Sequence, residues 1–316
     1  MTTDAAYLAT TPRALTIAQS IARDWAQLGM SGHFLARNID TGEELGFDVH
    51  TPVPLASVIK VPLALVVLEA LGRGALDPAA PMLVDPARSV GSTGVSSFRY
   101  PATIAIADLV LMMLSVSDNA SADVLIELVG FDAVNDAVRR WGCPGIRFRH
   151  PLQRMHDSAY RAAAGNPSLA LELAIHSDQS GHNVIEPLDA GYANVGTAFD
   201  LVNLLQRVWR DAISEPDATA ELRRLMGMQM FTHRLASDLR SDSIRVSAKT
   251  GSYLHLRHEI GVVESTEASD RGTRVAIAAL TRTARPAAVA PDVDLAIGDA
   301  ARTVFEELRQ PDRRET

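Results

Sequence analysis

The chain has 316 residues, 47% of them hydrophobic, with a formal charge of −8 and a pI near 5.6. That is apolar material for one large domain or two interleaved lobes, and the acidic balance argues against nucleic acid or anionic membrane as the main partner. A single cysteine, Cys143 in a Trp-Gly-Cys-Pro-Gly turn, excludes an intrachain disulfide and reads as structural.

Met1 to Leu28 lacks the basic and continuous apolar regions of a signal peptide, and no eighteen-residue apolar run follows, so a cytoplasmic protein without a membrane span is expected. From Leu15 to Leu28 apolar residues recur at helical spacing until Gly29 or Gly32 stops them. His33–Ile39 and Glu44–Val49 read as strands around an Asp40-Thr41-Gly42-Glu43 hairpin turn. Helices are predicted over about 58–72, 103–116, 119–129 and 131–141, with a Gly/Ser/Pro-rich loop between Pro81 and Pro101. From Gly142 to Asn194 the pattern is irregular except for a short helix, Pro167–Ile175; a connection this long within a compact domain is usually functional. Helices at Thr197–Trp209 and Asp217–Met228 precede strands at 244–248, 258–264 and 273–281, and a last helix runs from Asp292 to Leu308. Strands and helices without strict alternation predict an α+β fold. The strand-bearing ends, 1–48 and 196–316, would form one discontinuous lobe with flanking terminal helices, and 49–195 an all-α lobe.

The chain's chemistry centres on Ser57-Val58-Ile59-Lys60. From Val58 to Leu68 only Lys60 and Pro62 are not apolar, so this helix is buried on all sides and Lys60 is a lone cation in a core element. Burial disfavours a charged lysine and makes it a base near neutral pH. Three residues apart on a helix, the Ser57 hydroxyl and the Lys60 amine can meet, giving a nucleophile beside a base. Only Lys60 and Lys249 among the thirty basic residues are lysines; arginine cannot serve as a base.

Two further motifs follow. Ser117-Asp118-Asn119 supplies a hydroxyl, a carboxylate and an amide at a helix junction, where Asn119 can also be read as an N-cap. Lys249-Thr250-Gly251 ends a strand; it reads either as a strand edge and turn, or as a fixed cation and hydroxyl beside a pocket, with a glycine allowing close approach of a ligand.

S-x-x-K, S-D-N and K-T-G in this order resemble the signature of class A β-lactamases and penicillin-binding proteins. Pro54-Leu55-Ala56 before the serine, the sixty-residue separation of Ser57 from Ser117, and His258-Glu259-Ile260-Gly261 after K-T-G are similar to that family too. The resemblance spans the chain apart from about 150–195. It implies an antiparallel sheet lobe against a helical lobe, no cofactor, and a small carboxylated substrate. It makes Ser57 the acylated nucleophile, Lys60 its base and Ser117 the proton relay to the leaving nitrogen. Asn119 would hold the substrate amide, Lys249 and Thr250 its carboxylate, and the backbone N–H groups of Ser57 and Ser252 the oxyanion. Arg257 lies near the place where many members keep a second cation.

The pattern breaks where class A enzymes carry the glutamate that activates the deacylating water. His150-Pro151-Leu152-Gln153-Arg154-Met155 holds no glutamate, and Asp123 stands where the family usually has a loop-bracing asparagine. Within the divergent segment 149–194, Glu186 is the first candidate to replace that glutamate, in an omega-like Glu186-Pro187-Leu188-Asp189, with Glu172 and Asp178 behind it. His176/His182 and His255/His258 fit no compact metal-ligand set, so no metal is expected. His255 and His258 are expected beside the pocket. The resulting reading is a serine hydrolase acting on an amide or ester of a carboxylated small molecule, with β-lactam hydrolysis weak. Its alternatives are a penicillin-binding or sensing module that is acylated without turnover, and a biosynthetic acyl transferase.

Overall fold

The computed structural model describes residues 5–180, 182–239, 241–266, 272–286 and 289–309. In chain order the elements are β1 (Tyr7–Ala9), α1 (Pro12–Gln27), β2 (Met30–Asn38), β3 (Glu44–Phe47) and β4 (Val53–Pro54). A 3₁₀ turn, Ala56–Ile59, leads into α2 (Lys60–Gly72), followed by β5 (Pro81–Val84), β6 (Ala102–Ala105), α3 (Ile106–Ser115), α4 (Asn119–Val129) and α5 (Phe131–Arg140). Then come α6 (Gln153–Ala162), α7 (Pro167–Ser180), β7 (Val195–Gly196), α8 (Ala198–Trp209) and α9 (Pro216–Met226). The chain closes with β8 (Ile244–Tyr253), β9 (Leu256–Ser265), β10 (Arg274–Thr283) and α10 (Pro291–Leu308).

Six strands make one antiparallel sheet in the order β1-β3-β2-β10-β9-β8. The α+β expectation is met, with terminal helices α1 and α10 on one face of the sheet. Trp25 of α1 meets Phe34 and Phe47 edge-on at ring separations of 5.6 and 5.5 Å, which anchors that helix to the strands. The other face packs on α8 and on the helical core around α2, whose residues Lys60 to Glu69 are all buried. A helix with no wet face must be enclosed by its neighbours, and α3, α4, α5 and α9 enclose this one.

Two expectations are corrected. The Pro81–Pro101 loop begins with a strand, because Pro81–Val84 pairs antiparallel with Ala102–Ala105 across the Gly/Ser turn. The segment 150–194 is largely helical. Its first helix, α6, is polar on balance and buries only Met155 and Ser158, so its brief apolar period over Leu152, Met155 and Ala159 is easily missed.

That segment is held at both ends and along its length. Asn194, buried, accepts from the Arg149 and His150 N–H groups at 2.6 and 3.2 Å and donates to the His150 carbonyl at 3.0 Å. Asp123 of α4 accepts from the Leu152 and Gln153 N–H groups at 2.5 and 3.0 Å and from the Ser89 hydroxyl at 2.8 Å, fixing the start of α6. Burial pushes the Asp123 carboxyl up, against these donors. The Tyr253 hydroxyl donates to the Met155 carbonyl at 2.5 Å, and Asp178 of α7 lies 2.7 Å from His255 Nε2 and 3.0 Å from Arg282. Asp123→Ala removes the acceptor of three donors, two of them buried, and we expect a loss of about 2–4 kcal/mol in urea unfolding. A change below about 0.5 kcal/mol, the range of neutral surface substitutions, would show that α6 docks without this brace.

Candidate active site

The approach of β8 to the 3₁₀ turn builds the site. Gly251 is necessary there: a Cβ would stand 2.8 Å from the Leu55 carbonyl oxygen and 2.9 Å from a Val58 methyl. The glycine of K-T-G therefore admits the nucleophile's own turn, where the sequence reading had it admit a ligand. The turn is strained, with Ala56 at φ +46°, and Ser117 in the second motif is left-handed at φ +61°. Behind the turn, His258 is fully buried. Its Nε2 donates to the Pro54 carbonyl at 2.8 Å, and its Nδ1 accepts from the Thr281 N–H at 2.9 Å. Burial lowers His258 to about 3, so the neutral Nε2–H form that makes both bonds persists.

Lys60 and Lys249 have no solvent exposure and converge on Ser117. Lys60 Nζ donates to the Ser117 carbonyl at 2.6 Å and to Asn119 Oδ1 at 2.7 Å, and lies 3.3 Å from Ser117 Oγ. Lys249 Nζ donates to Ser117 Oγ at 3.0 Å and to the Thr250 carbonyl at 2.8 Å. Lys60 thus makes its hydrogen bonds with the second motif, not with the Ser57 hydroxyl three residues away. Burial brings Lys60 down from 10.5 to about 7, against the pull of buried Asp118 and of Asp123. Asp118 caps α4, accepting from the Ser121 N–H at 3.0 Å and from Ser96 N–H and Oγ at 2.9 and 2.6 Å.

Lys249 also sits well below the usual lysine range, through burial first and then the neighbouring Lys60 charge. A second cation near this place, Arg234, is one that sequence reasoning missed. Its guanidinium is buried between Asp294 at 2.7 Å and Ser252 Oγ at 2.7 Å. No motif marks it; it lies in the irregular stretch between α9 and β8 and reaches the site only through the fold. Thr250 offers its N–H to Gln229 Oε1 at 2.5 Å, and Gln229 in turn donates to buried Glu259.

A cavity of about 280 Å³ opens at Ser57, and Asn119 and Ser252 also line it. Arg257 does not. It donates to the Leu254 and Leu256 carbonyls and lines a neighbouring depression with Arg234 and Asp294. Glu186 is likewise absent from the Ser57 cavity. It pairs with Arg154 at 2.5 Å, half exposed, in a separate depression bordered by Arg149, His150 and Tyr192. Glu172 and Asp178 do not line the Ser57 cavity either, and Asp178 is spent on His255 and Arg282. His255 and His258 turn inward as struts, away from the pocket where they were expected. Among the described residues no cluster of His, Cys, Asp or Glu could hold a metal ion. Burial pushes the Cys143 thiol up to about 12, far from a nucleophile's range.

An antiparallel sheet against helices, with serine and two lysines at their junction, is the architecture of the β-lactamase and transpeptidase fold. The chain belongs to the β-lactamase enzyme family, whose model matches residues 16–308. It is 38% identical over 297 residues to the β-lactamase regulatory protein BlaB of Streptomyces cacaoi, a match covering 89% of this chain and 94% of that one. In fold it is similar to a β-lactamase from Sphaerobacter thermophilus, with TM-score 0.74 and 19% identity over 92% of this chain and 96% of the other. It is also similar to PBP-A solved as an acyl-enzyme complex with penicillin G, with TM-score 0.73 and 18% identity over 92% and 96% of the two chains.

Two outcomes follow from this geometry. If neutral Lys60 is the base, acylation should rise with pH through about 7 and level off above it, since the amine is free only above its lowered pKa. Lys60→Arg should cut acylation by about 10²–10⁴-fold; a near-normal rate would leave Lys60 a structural cation. His258→Gln, which keeps a donor for Pro54, should acylate faster than His258→Asn, which keeps only an acceptor for Thr281. Stopped-flow acylation of both variants decides this, and equal rates would mean that the Pro54 contact does not position the nucleophile.

Proposed function

We propose that Ser57 attacks an amide or ester of a small carboxylated molecule, forming an acyl-enzyme that is released slowly. Neutral Lys60 takes the hydroxyl proton, Ser117 passes a proton to the leaving atom, Asn119 holds the substrate amide, and the Ser57 and Ser252 N–H groups receive the oxyanion. Thr250, Lys249 and Arg234 form the side that takes the carboxylate, with Arg257 behind Arg234 as a supporting charge.

The observation that carries the slow release is the lining of the Ser57 cavity, which contains no carboxylate. Water beside the ester then meets no carboxylate to take its proton; the one imidazole of the lining, His156, is exposed. A hydrolase with weak β-lactam turnover is the first form of this reading. A second form, in which the persistent adduct is itself the signal, is favoured by the same lining and by likeness to a regulatory protein.

Intact-mass spectrometry over time, after benzylpenicillin and after a simple activated ester, tests it. We expect stoichiometric labelling of Ser57, a burst followed by slow turnover, and no labelling of Ser57→Ala. Glu186→Gln should leave the adduct lifetime unchanged, because its carboxylate faces another depression. Rapid turnover without a burst, or a longer-lived adduct in Glu186→Gln, would overturn the account of release.

A further inference from the structure

None of the carboxylates that the sequence offered for release lines the Ser57 cavity, but a residue that no motif marks does. His156 borders the space together with Ser57, and helix geometry brings it there. Leu152, Met155, His156, Ala159 and Tyr160 follow one another at helical spacing, so they share one face of α6, and all five line the cavity. Gln153, Arg154 and Asp157 take the other face, in the depression that holds Glu186. Two braces set which face turns inward: Asp123 accepts from the Leu152 N–H, and the Tyr253 hydroxyl donates to the Met155 carbonyl, one residue before the histidine. One turn on, the Tyr160 ring stacks on the imidazole, with ring centres 6.3 Å apart and planes at 29°. The imidazole is exposed yet oriented, and among the described residues no protein group holds either ring nitrogen. His255 and His258 differ in this, since Asp178 and the Pro54 carbonyl engage their Nε2 atoms.

The rest of the lining offers no other base. It holds no aspartate, glutamate, lysine or arginine, and its hydroxyls and amides do not take a proton from water near neutral pH. Asn166 is already engaged, its Oδ1 capping α7 by accepting from the Ser168 and Leu169 N–H groups at 3.0 and 3.2 Å. A neutral imidazole is a general base suited to ester hydrolysis when one water joins it to the carbonyl carbon. We propose that His156 is the proton acceptor for the water that releases the acyl group from Ser57, and that solvent competition for this exposed ring keeps release slow. The proposal rests on the reading of Ser57 as the acylated residue and adds the group that ends the adduct's life. In this step the bond from the water oxygen to the acyl carbon forms and the bond from that carbon to Ser57 Oγ breaks. One water proton passes through the ring to Ser57 Oγ, and the acid product keeps the other.

The ring's surroundings define the pH test. On α6 it has Tyr160 beside it and Asp157 on the outer face; β8 contributes Tyr253, which burial keeps protonated; α7 and the Ser57 turn bring no charged side chain to the cavity. Lys60, behind Asn119, also changes charge near neutrality, and it is common to wild type and variant. Benzylpenicillin adducts are followed by intact mass across pH. His156→Gln should lengthen the adduct's life about tenfold or more, short of the roughly 10²–10⁴-fold of a well-held base, and leave acylation within about twofold. Wild-type release should rise with pH and level off once the ring is neutral, and His156→Gln should lack that limb. Added imidazole should speed release from His156→Ala more than from wild type, a rescue that a merely structural role would not give. An unchanged lifetime in His156→Gln, equal slowing of acylation and release, absence of rescue, or a wild-type adduct that never decays would each overturn the proposal. If neither benzylpenicillin nor a simple activated ester labels Ser57, the underlying reading of Ser57 fails, and this proposal falls with it.

Discussion

Two lysines without solvent exposure face one serine hydroxyl, and the cost of holding charge there shapes the rest of the molecule. Taking an ammonium out of water is expensive enough that it neutralises unless carboxylates and hydrogen bonds compensate. Asp118 and Glu259 supply negative charge to Lys60 and Lys249 respectively, and both carboxylates are themselves buried. Each is satisfied locally: Asp118 by Ser96 and Ser121, Glu259 by Gln229 and the Leu235 N–H. The balance leaves Lys60 close to neutrality, where a base serves acyl transfer best.

The geometry around this pair comes from two elements that share no sequence neighbourhood. The turn of Ser57 is set down on β8 because Gly251 has no side chain, and it is stapled to β9 and β10 through the neutral ring of His258. Left-handed backbone at Ala56 and Ser117 is tolerated because packing over-determines both positions. Gly94 contributes in the same way, approaching Asp118 so closely that a Cβ would stand 2.7 Å from it.

The family's acylation parts are retained while the ground opposite the serine has been rebuilt. Where a water-activating carboxylate would serve release, two helices and their connection present a mostly apolar wall with His156 and Asn166 in it. The acidic side chains of the same segment are employed in holding it: Asp178 on His255 and Arg282, Glu186 on Arg154.

Local sequence was enough to mark the residues that the fold brings together around Ser117. An all-apolar helix with one lysine announces burial and a shifted base, and the three motifs announce the fold, because such chemistry depends on residue types at short spacing. The long strands and the helices with a strong apolar face were legible for the same reason. Helix α6 was not, since its surface is polar and its docking rests on Asp123, thirty residues away along the chain. Nor could spacing distinguish Glu186, close to a functional-looking motif, from a carboxylate paired on the outer side of α6. Arg234 and His258 are the converse cases, isolated residues given roles by strands and helices distant in sequence. Chemistry encoded over a few residues was determined by the sequence alone. Which side chains share a cavity was decided by tertiary packing, because burial and proximity depend on every element that closes around them.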